Sequence, residues 1–243
     1  MKLLLLTLST FAGIIGLSGC DQLPGKPKPS DRWQPPEAEK NFQVLFNGNC
    51  RACHAGETNI GASISMRDPL YLAIIPRDVV RKVTAEGIPG TTMPGFAKAN
   101  GGELTDEQVD IIVNGILDWG KSKSSQVTKA NLPSYSAPLG DANHGGEVYN
   151  RFCASCHGQV GQNGKAGSIL QPDYLQLVSD QYLRSVTIAG RPELGMPNYQ
   201  NLVPNQPMSD QDIADIVAWL VSHRNASNVL PAADANPSAS PNS

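Results

Sequence analysis

The chain is written twice. Displaced against itself by 103 residues, it places Cys50, Cys53 and His54 on Cys153, Cys156 and His157, and the match runs without a gap to Pro94 on Pro197, with 15 of 45 positions identical. Among the identities are Pro69 with Pro172, Tyr71 with Tyr174, Leu72 with Leu175, Arg81 with Arg184, Gly87 with Gly190 and Met93 with Met196. Two copies of one domain is the economical reading of such a register. Each copy has about 80 residues, a size at which a hydrophobic core alone is marginal, so something other than side chains has to fill the middle.

Both copies close on a helix with the same grammar. Thr105 and Gln108 form a capping box ahead of an apolar stripe of Val109, Ile112, Val113, Ile116 and Leu117; Ser209 opens the second, with Ile213, Ile216, Val217 and Leu220. The offset there is one residue longer, 104. Gly120 is expected to cap the first of these helices. Short helical segments are predicted over 42–49 and 145–152, before each cysteine pair, and over 78–86 and 179–189, after it. No alternating run is long enough for a sheet, so the fold class is all-α.

The two pairs, CRACH and CASCH, set the chemistry. Thiols three positions apart on one turn can add across both vinyl groups of a haem, and the histidine that follows then lies under the iron. A single zinc site pooling four cysteines is the rival, but the pairs lie about 100 residues apart, each inside its own copy and each with its histidine. A redox dithiol would ask for a βαβ pattern that is absent. Cys50, Cys53, Cys153 and Cys156 are therefore candidate thioether positions, and His54 and His157 candidate iron ligands. Met93 lies 39 residues after His54, as Met196 does after His157, and a proline follows each. Identical placement in both copies marks these two methionines as candidate sixth ligands. Met66 and Met208 are read as core filling.

GEVYNRFCASCHG followed by VTIAGRPELGMPNY resembles class I cytochrome c domains, and NCRACH with VTAEGIPGTTMPGF matches the same pattern over about 41–120 and 143–224. The resemblance implies two tandem domains, each a small helical bundle around a covalently bound haem c with histidine and methionine axial ligands. It also implies electron transfer as the activity. Domain two has Gly145 where the family's first helix crosses its last, whereas domain one has Phe42 there, so that contact is expected to be looser or rearranged.

The fifth cysteine is explained by the N-terminus. Lys2 precedes an apolar run from Leu3 to Leu17, shorter than the roughly 20 residues a spanning helix needs, and Leu17-Ser18-Gly19-Cys20 closes it. LSGC resembles the bacterial lipobox, which implies a signal peptide over 1–19 and lipidation of Cys20. Residues 20–40 are then a tether whose prolines favour extended polyproline geometry. Residues 121–142 read as a linker and 225–243 as a disordered tail. Nineteen basic against twenty-two acidic residues give a net charge of -3, without the basic excess that a phosphate backbone requires, so nucleic acid is not an expected partner.

The remaining polar residues carry weaker expectations. Arg81 and Arg184 could pair with a haem propionate, since guanidinium suits a carboxylate, or sit on a solvated helix face. His144 and His223 are read as surface residues. Trp119 and Trp219, one residue out of register near the ends of the final helices, are read as packing, and Tyr71 and Tyr174 as pocket lining or core.

With both axial positions filled by protein, a haem performs outer-sphere one-electron transfer rather than substrate chemistry. The sequence therefore predicts a carrier and not an enzyme: a dihaem c-type cytochrome, lipid-anchored on the periplasmic side of the bacterial cytoplasmic membrane. Its partners would be a quinol-oxidising complex and a terminal oxidase or reductase. Asp21, after the lipid cysteine, resembles an inner-membrane retention signal. Two alternatives stay open: a dihaem enzyme of peroxidase or thiosulfate-oxidising type with one catalytic haem, and a haem subunit of a dehydrogenase or respiratory complex.

Overall fold

The computed structural model describes residues 25, 28, 33–55, 60–122, 127 and 131–224. The expected signal peptide, Cys20 and its expected lipidation, Asp21, most of the expected tether, parts of the linker and the tail lie outside the described residues. The chain divides into two compact units, Met1–Glu39 and Lys40–Ser243. In the first, the described residues hold a short 3-10 turn at Pro36–Ala38 and an exposed Trp33. The second contains both sequence repeats.

Repeat one consists of α1 (Phe42–Asn49), α2 (Arg51–His54), α3 (Pro69–Ile74), α4 (Arg77–Glu86) and α5 (Asp106–Ser122). Repeat two has the same five in the same order: α6 (Ala142–Phe152), α7 (Ala154–His157), α8 (Pro172–Leu177), α9 (Asp180–Ala189) and α10 (Asp210–Ser222). The described residues contain no strand, only two isolated bridges, Ala97 with Leu104 and Arg191 with Met196. The all-α class is what the periodicity implied.

Local chemistry explains the boundaries. Asn41 caps α1 by accepting from the Gln43 and Val44 amides, and Asp141 caps α6 through Asn143. Both long helices open on capping boxes. The Thr105 hydroxyl accepts from the Gln108 amide at 3.2 Å while Gln108 Oε1 accepts from Thr105 N at 3.0 Å, and Ser209 with Asp212 does the same. The predicted stripes are the core: Val109, Ile112 and Val113 are fully buried, as is Ile213, with Ile216, Val217 and Leu220 close behind. Helices α3 and α8 were not predicted. Pro at the first position, with Asp68 accepting from Tyr71 N at 2.7 Å in α3, is the signal that marks them.

Gly120 does not cap α5, which runs on to Ser122. Its role is close approach: a Cβ there would stand 2.9 Å from Leu72 Cβ, so its absence lets α3 lie against α5. The tryptophans are not near-equivalents either. The 104 offset pairs Trp219 with Gly115 and Trp119 with His223, so the two indoles sit one helical turn apart.

The repeats share one body. Leu70 of α3 is buried in the core of repeat two, with Ile74 packed beside it. Residues 131–140 run as a strap along repeat two. Pro133 is buried, Ser134 O accepts from the Arg184 guanidinium at 2.8 Å, and Tyr135 O accepts from Gln181 at 2.7 Å.

Candidate haem sites

Each cysteine pair sits on a tight corner between two helices. Cys50 ends α1 and Cys153 ends α6, and both turn directly into the four-residue helix that carries the second cysteine and the histidine. The first cysteine of each pair is buried in its repeat's core; Cys53 is exposed and Cys156 half-buried. None of the four is in a disulfide. Burial, then the neighbouring Cys53, pushes the Cys50 thiol up to about 12, and burial with Cys156 does the same to Cys153.

The histidines are oriented alike. His54 Nδ1 lies 3.0 Å from Ile64 O and His157 Nδ1 lies 2.9 Å from Gly167 O, each ten residues on. A protonated Nδ1 donating to a carbonyl fixes the tautomer and leaves Nε2 with its lone pair for a metal. Burial, with the Arg191 charge adding to it, holds His54 below the usual histidine range, which keeps its imidazole neutral. The carbonyls that receive these histidines are placed by a repeated loop. Ser63 N donates to Cys53 O at 2.9 Å and Ala166 N to Cys156 O at 2.8 Å. At Gly61 and Gly164 a Cβ would stand 2.3 and 2.2 Å from those same cysteine carbonyls, so only glycine lets the chain fold back over the pair. Gly61 and Gly164 are identical in the repeat, and that identity was the sequence signal for them.

The methionines ride on a second repeated loop. Gly87 and Gly190 end α4 and α9 at φ 72°, and a Cβ on either would stand within 2.7 Å of the Met-Pro backbone. Ile88 N donates to Met93 O and Arg191 N to Met196 O, both at 2.9 Å. Met93 and Met196 are half-buried and outside both hydrophobic clusters, whereas Met208 lies in the core of repeat two and Met66 packs against the core of repeat one. A rigid loop that withholds a methionine from packing fits a ligand better than a gap-filler.

These observations test the donor set against haem. Thiol, thiol and an imidazole with a free Nε2 recur as one unit in each repeat, and among the described residues no three His, Cys, Asp or Glu side chains converge as a pooled zinc site would require. The residues fit a covalent haem in each repeat. Tyr71 and Tyr174 are half-buried, and burial raises both phenols well above the usual tyrosine range.

The remaining polar residues have partners in the fold. Arg81 and Arg184 each join two helices through an ion pair: Arg81 reaches Asp110 at 2.9 Å and Asp106 at 3.5 Å, and Arg184, almost fully buried, pairs with Asp210, the counterpart of Asp106. His144 is a surface residue, as expected, and its Nδ1 lies 2.7 Å from the buried carboxylate of Asp215. His223 Nδ1 sits 2.8 Å from Trp219 O at the end of α10, its ring 4.3 Å from the indole.

Comparison with known proteins agrees with this geometry. Residues 37–114 and 140–220, together more than half of the chain, match the family model described as cytochrome c oxidase, cbb3-type, subunit III. A cbb3-type cytochrome c oxidase subunit CcoP from Azospirillum sp. (strain B510) is 29% identical over 135 residues, covering 51% of this chain and 40% of that protein. The chain thus spans well under half the length of that relative. Among the described residues no helix is long and apolar enough to cross a membrane. Two helical repeats, each with its thiol pair, oriented histidine and matched family region, establish that the chain belongs to the cbb3-type cytochrome c oxidase subunit III family and carries two covalently bound haem c groups.

Proposed function

We propose that the protein is a dihaem electron carrier, tethered through Cys20 to the periplasmic face of the bacterial cytoplasmic membrane. The observation that supports this reading is the duplicated site: each repeat has a carbonyl-oriented histidine and, 39 residues on, a loop-held methionine. Cys50 and Cys53 hold one haem and Cys153 and Cys156 the other; His54 with Met93, and His157 with Met196, are the axial ligands. The domains run over 41–120 and 143–224. Haem held in this way supplies reversible one-electron chemistry at a closed iron.

The chain's own residues do the rest. Ile64 O and Gly167 O hold each imidazole in one orientation, which limits rearrangement between oxidation states. The glycine-tight loops at 87 and 190 keep each methionine in place. A loop-held methionine in each repeat favours the carrier reading over the enzyme reading, which needs one open iron. The family match and the CcoP relative favour a terminal oxidase as the electron acceptor, with the chain serving as its haem subunit.

The test is the near-infrared absorption of the oxidised protein, normalised to total haem, in the methionine-to-ferric-iron charge-transfer region. Two methionines per chain are expected. An intensity corresponding to one would show an open or differently ligated iron and turn the reading towards an enzyme. Met93→Ala and Met196→Ala are each expected to convert only their own haem to a high-spin or substituted form.

A further inference from the structure

The two repeats differ at the start of the methionine loop. Where repeat one has Ile88, repeat two has Arg191, buried to 7% exposure. A buried guanidinium needs several acceptors, and Arg191 finds them in three places. Its Nη2 donates to Gly61 O at 2.6 Å, its Nη1 to Ala62 O at 3.3 Å, and its Nε pairs with Glu193. Gly61 and Ala62 belong to the repeat-one loop that folds over Cys53 and supplies Ile64 O to His54. The main chain of the same arginine brackets Met196, accepting from Met196 N at 3.0 Å and donating to Met196 O at 2.9 Å.

One residue thus holds the methionine loop of the second site with its backbone and the histidine loop of the first with its side chain. We propose that Arg191 is a positioning residue between the two redox centres, which docks one site on the other and places a fixed positive charge behind His54. The inference rests on the ligand assignments above. A positive charge beside a redox iron favours the ferrous form, which carries one positive charge fewer, so Arg191 raises the reduction potential of the first haem from within the second domain. Glu193 offsets part of that charge. Repeat one has no equivalent, because Ile88 is uncharged and Gly90 stands where Glu193 does.

The experiment is a spectroelectrochemical titration of the intact dihaem protein, resolving two one-electron waves. The wave of the first haem is identified as the one that Met93→His displaces. Arg191→Gln is expected to lower the reduction constant of that wave about tenfold, which for one electron is about 59 mV. Arg191→Lys, which keeps the charge but loses the fork, is expected to recover most of it, and Glu193→Gln to move the same wave upward. Should Arg191→Gln fail to fold, the lysine and Glu193→Gln variants still decide the matter. A first wave unmoved in Arg191→Gln or, should that variant not fold, in Glu193→Gln, or a shift confined to the second haem, would overturn the proposal and leave Arg191 as a packing strut. The near-infrared band of the unsubstituted protein reports the ligand assignments separately, so the two claims fail independently.

Discussion

The two repeats cross their first and last helices at the same place with opposite partners. In repeat two the glycine is on the first helix: a Cβ on Gly145 would stand 2.1 Å from Asp215 O, and Trp219 of α10 closes over Gly145 and Gly146. In repeat one it is on the last helix, where a Cβ on Gly115 would stand 2.3 Å from the ring of Phe42. Phe42 is the counterpart of Gly145 and Gly115 that of Trp219, so glycine and aromatic have exchanged helices. The consequences differ. Gly145 brings backbone against backbone and α6 lies along α10 in extensive contact, whereas Phe42 fills the equivalent gap with a ring that meets Trp119 edge-on at 4.8 Å. A crossing needs one small residue, and which helix supplies it decides whether main chains or side chains meet.

The sharpest way to break the comparison is to remove each glycine. Gly145→Val places a side chain against the main chain of Asp215 and the Cβ of Trp219, which cannot yield, and is expected to destabilise repeat two by about 3 kcal/mol or more. Gly115→Ala meets a ring that can rotate away, and a cost of about 1–2 kcal/mol is expected in repeat one. Thermal unfolding followed by far-ultraviolet circular dichroism and by the two haem spectra separately measures both. Equal costs would show that the two crossings are energetically the same.

Asp215 sharpens the contrast next, since its counterpart in repeat one is Ile111. Its buried carboxylate accepts from Asp141 N, from Gln211 Nε2 and from His144, all at 2.7 Å, and pins the strap to α10. Asp215→Ala leaves those donors without their acceptor and is expected to cost about 2 kcal/mol in repeat two alone. The pH dependence follows. Burial acts to raise Asp215, but the hydrogen bonds from His144, Asp141 N and Gln211 outweigh it and hold it below the usual carboxylate range. Its contribution is therefore present above about pH 4 and lost as pH falls through its lowered value. His144 is raised, chiefly by its bond to Asp215, so its contribution is complete below about pH 6.5 and lost as pH rises through the raised value. Repeat two should be most stable between these limits, and Asp215→Asn should flatten the profile; denaturant midpoints from pH 3 to pH 9 measure this.

The smallest expected effect is at the aromatic that both first helices bury. Tyr149 donates to Gly158 O at 2.6 Å, just after His157, while its counterpart Phe46 has no hydroxyl. Tyr149→Phe is expected to cost about 1 kcal/mol by the same unfolding measurement. A larger loss would mean that the hydroxyl organises the turn after His157.

Much of the functional site was legible because it is short-range. Thiol, thiol and imidazole lie on one turn, and the same register repeated 103 residues later argues that the spacing to each methionine is a constraint and not an accident. Long-range partners were harder to foresee. Arg81 and Arg184 share a repeat position, which pointed to a common role, but nothing local distinguishes a carboxylate on haem from one on a neighbouring helix; the Asp106 and Asp210 pairs exist because α4 and α9 dock on the first turns of α5 and α10. Leu70 looks like an ordinary apolar residue of repeat one, and only the docking of α3 makes it core for repeat two.

By itself, then, the sequence determined the all-α class, the duplication, the thiol and histidine positions and the loops that carry the methionines, all features written in spacing and periodicity within one repeat. The tertiary structure decided how the repeats meet: the exchanged glycine and aromatic at the helix crossings, the strap over 131–140, and an arginine of one repeat reaching the carbonyls of the other. A residue's partners across a fold depend on which surfaces come together, and surfaces come together through the summed burial of many side chains. No local pattern encodes that sum.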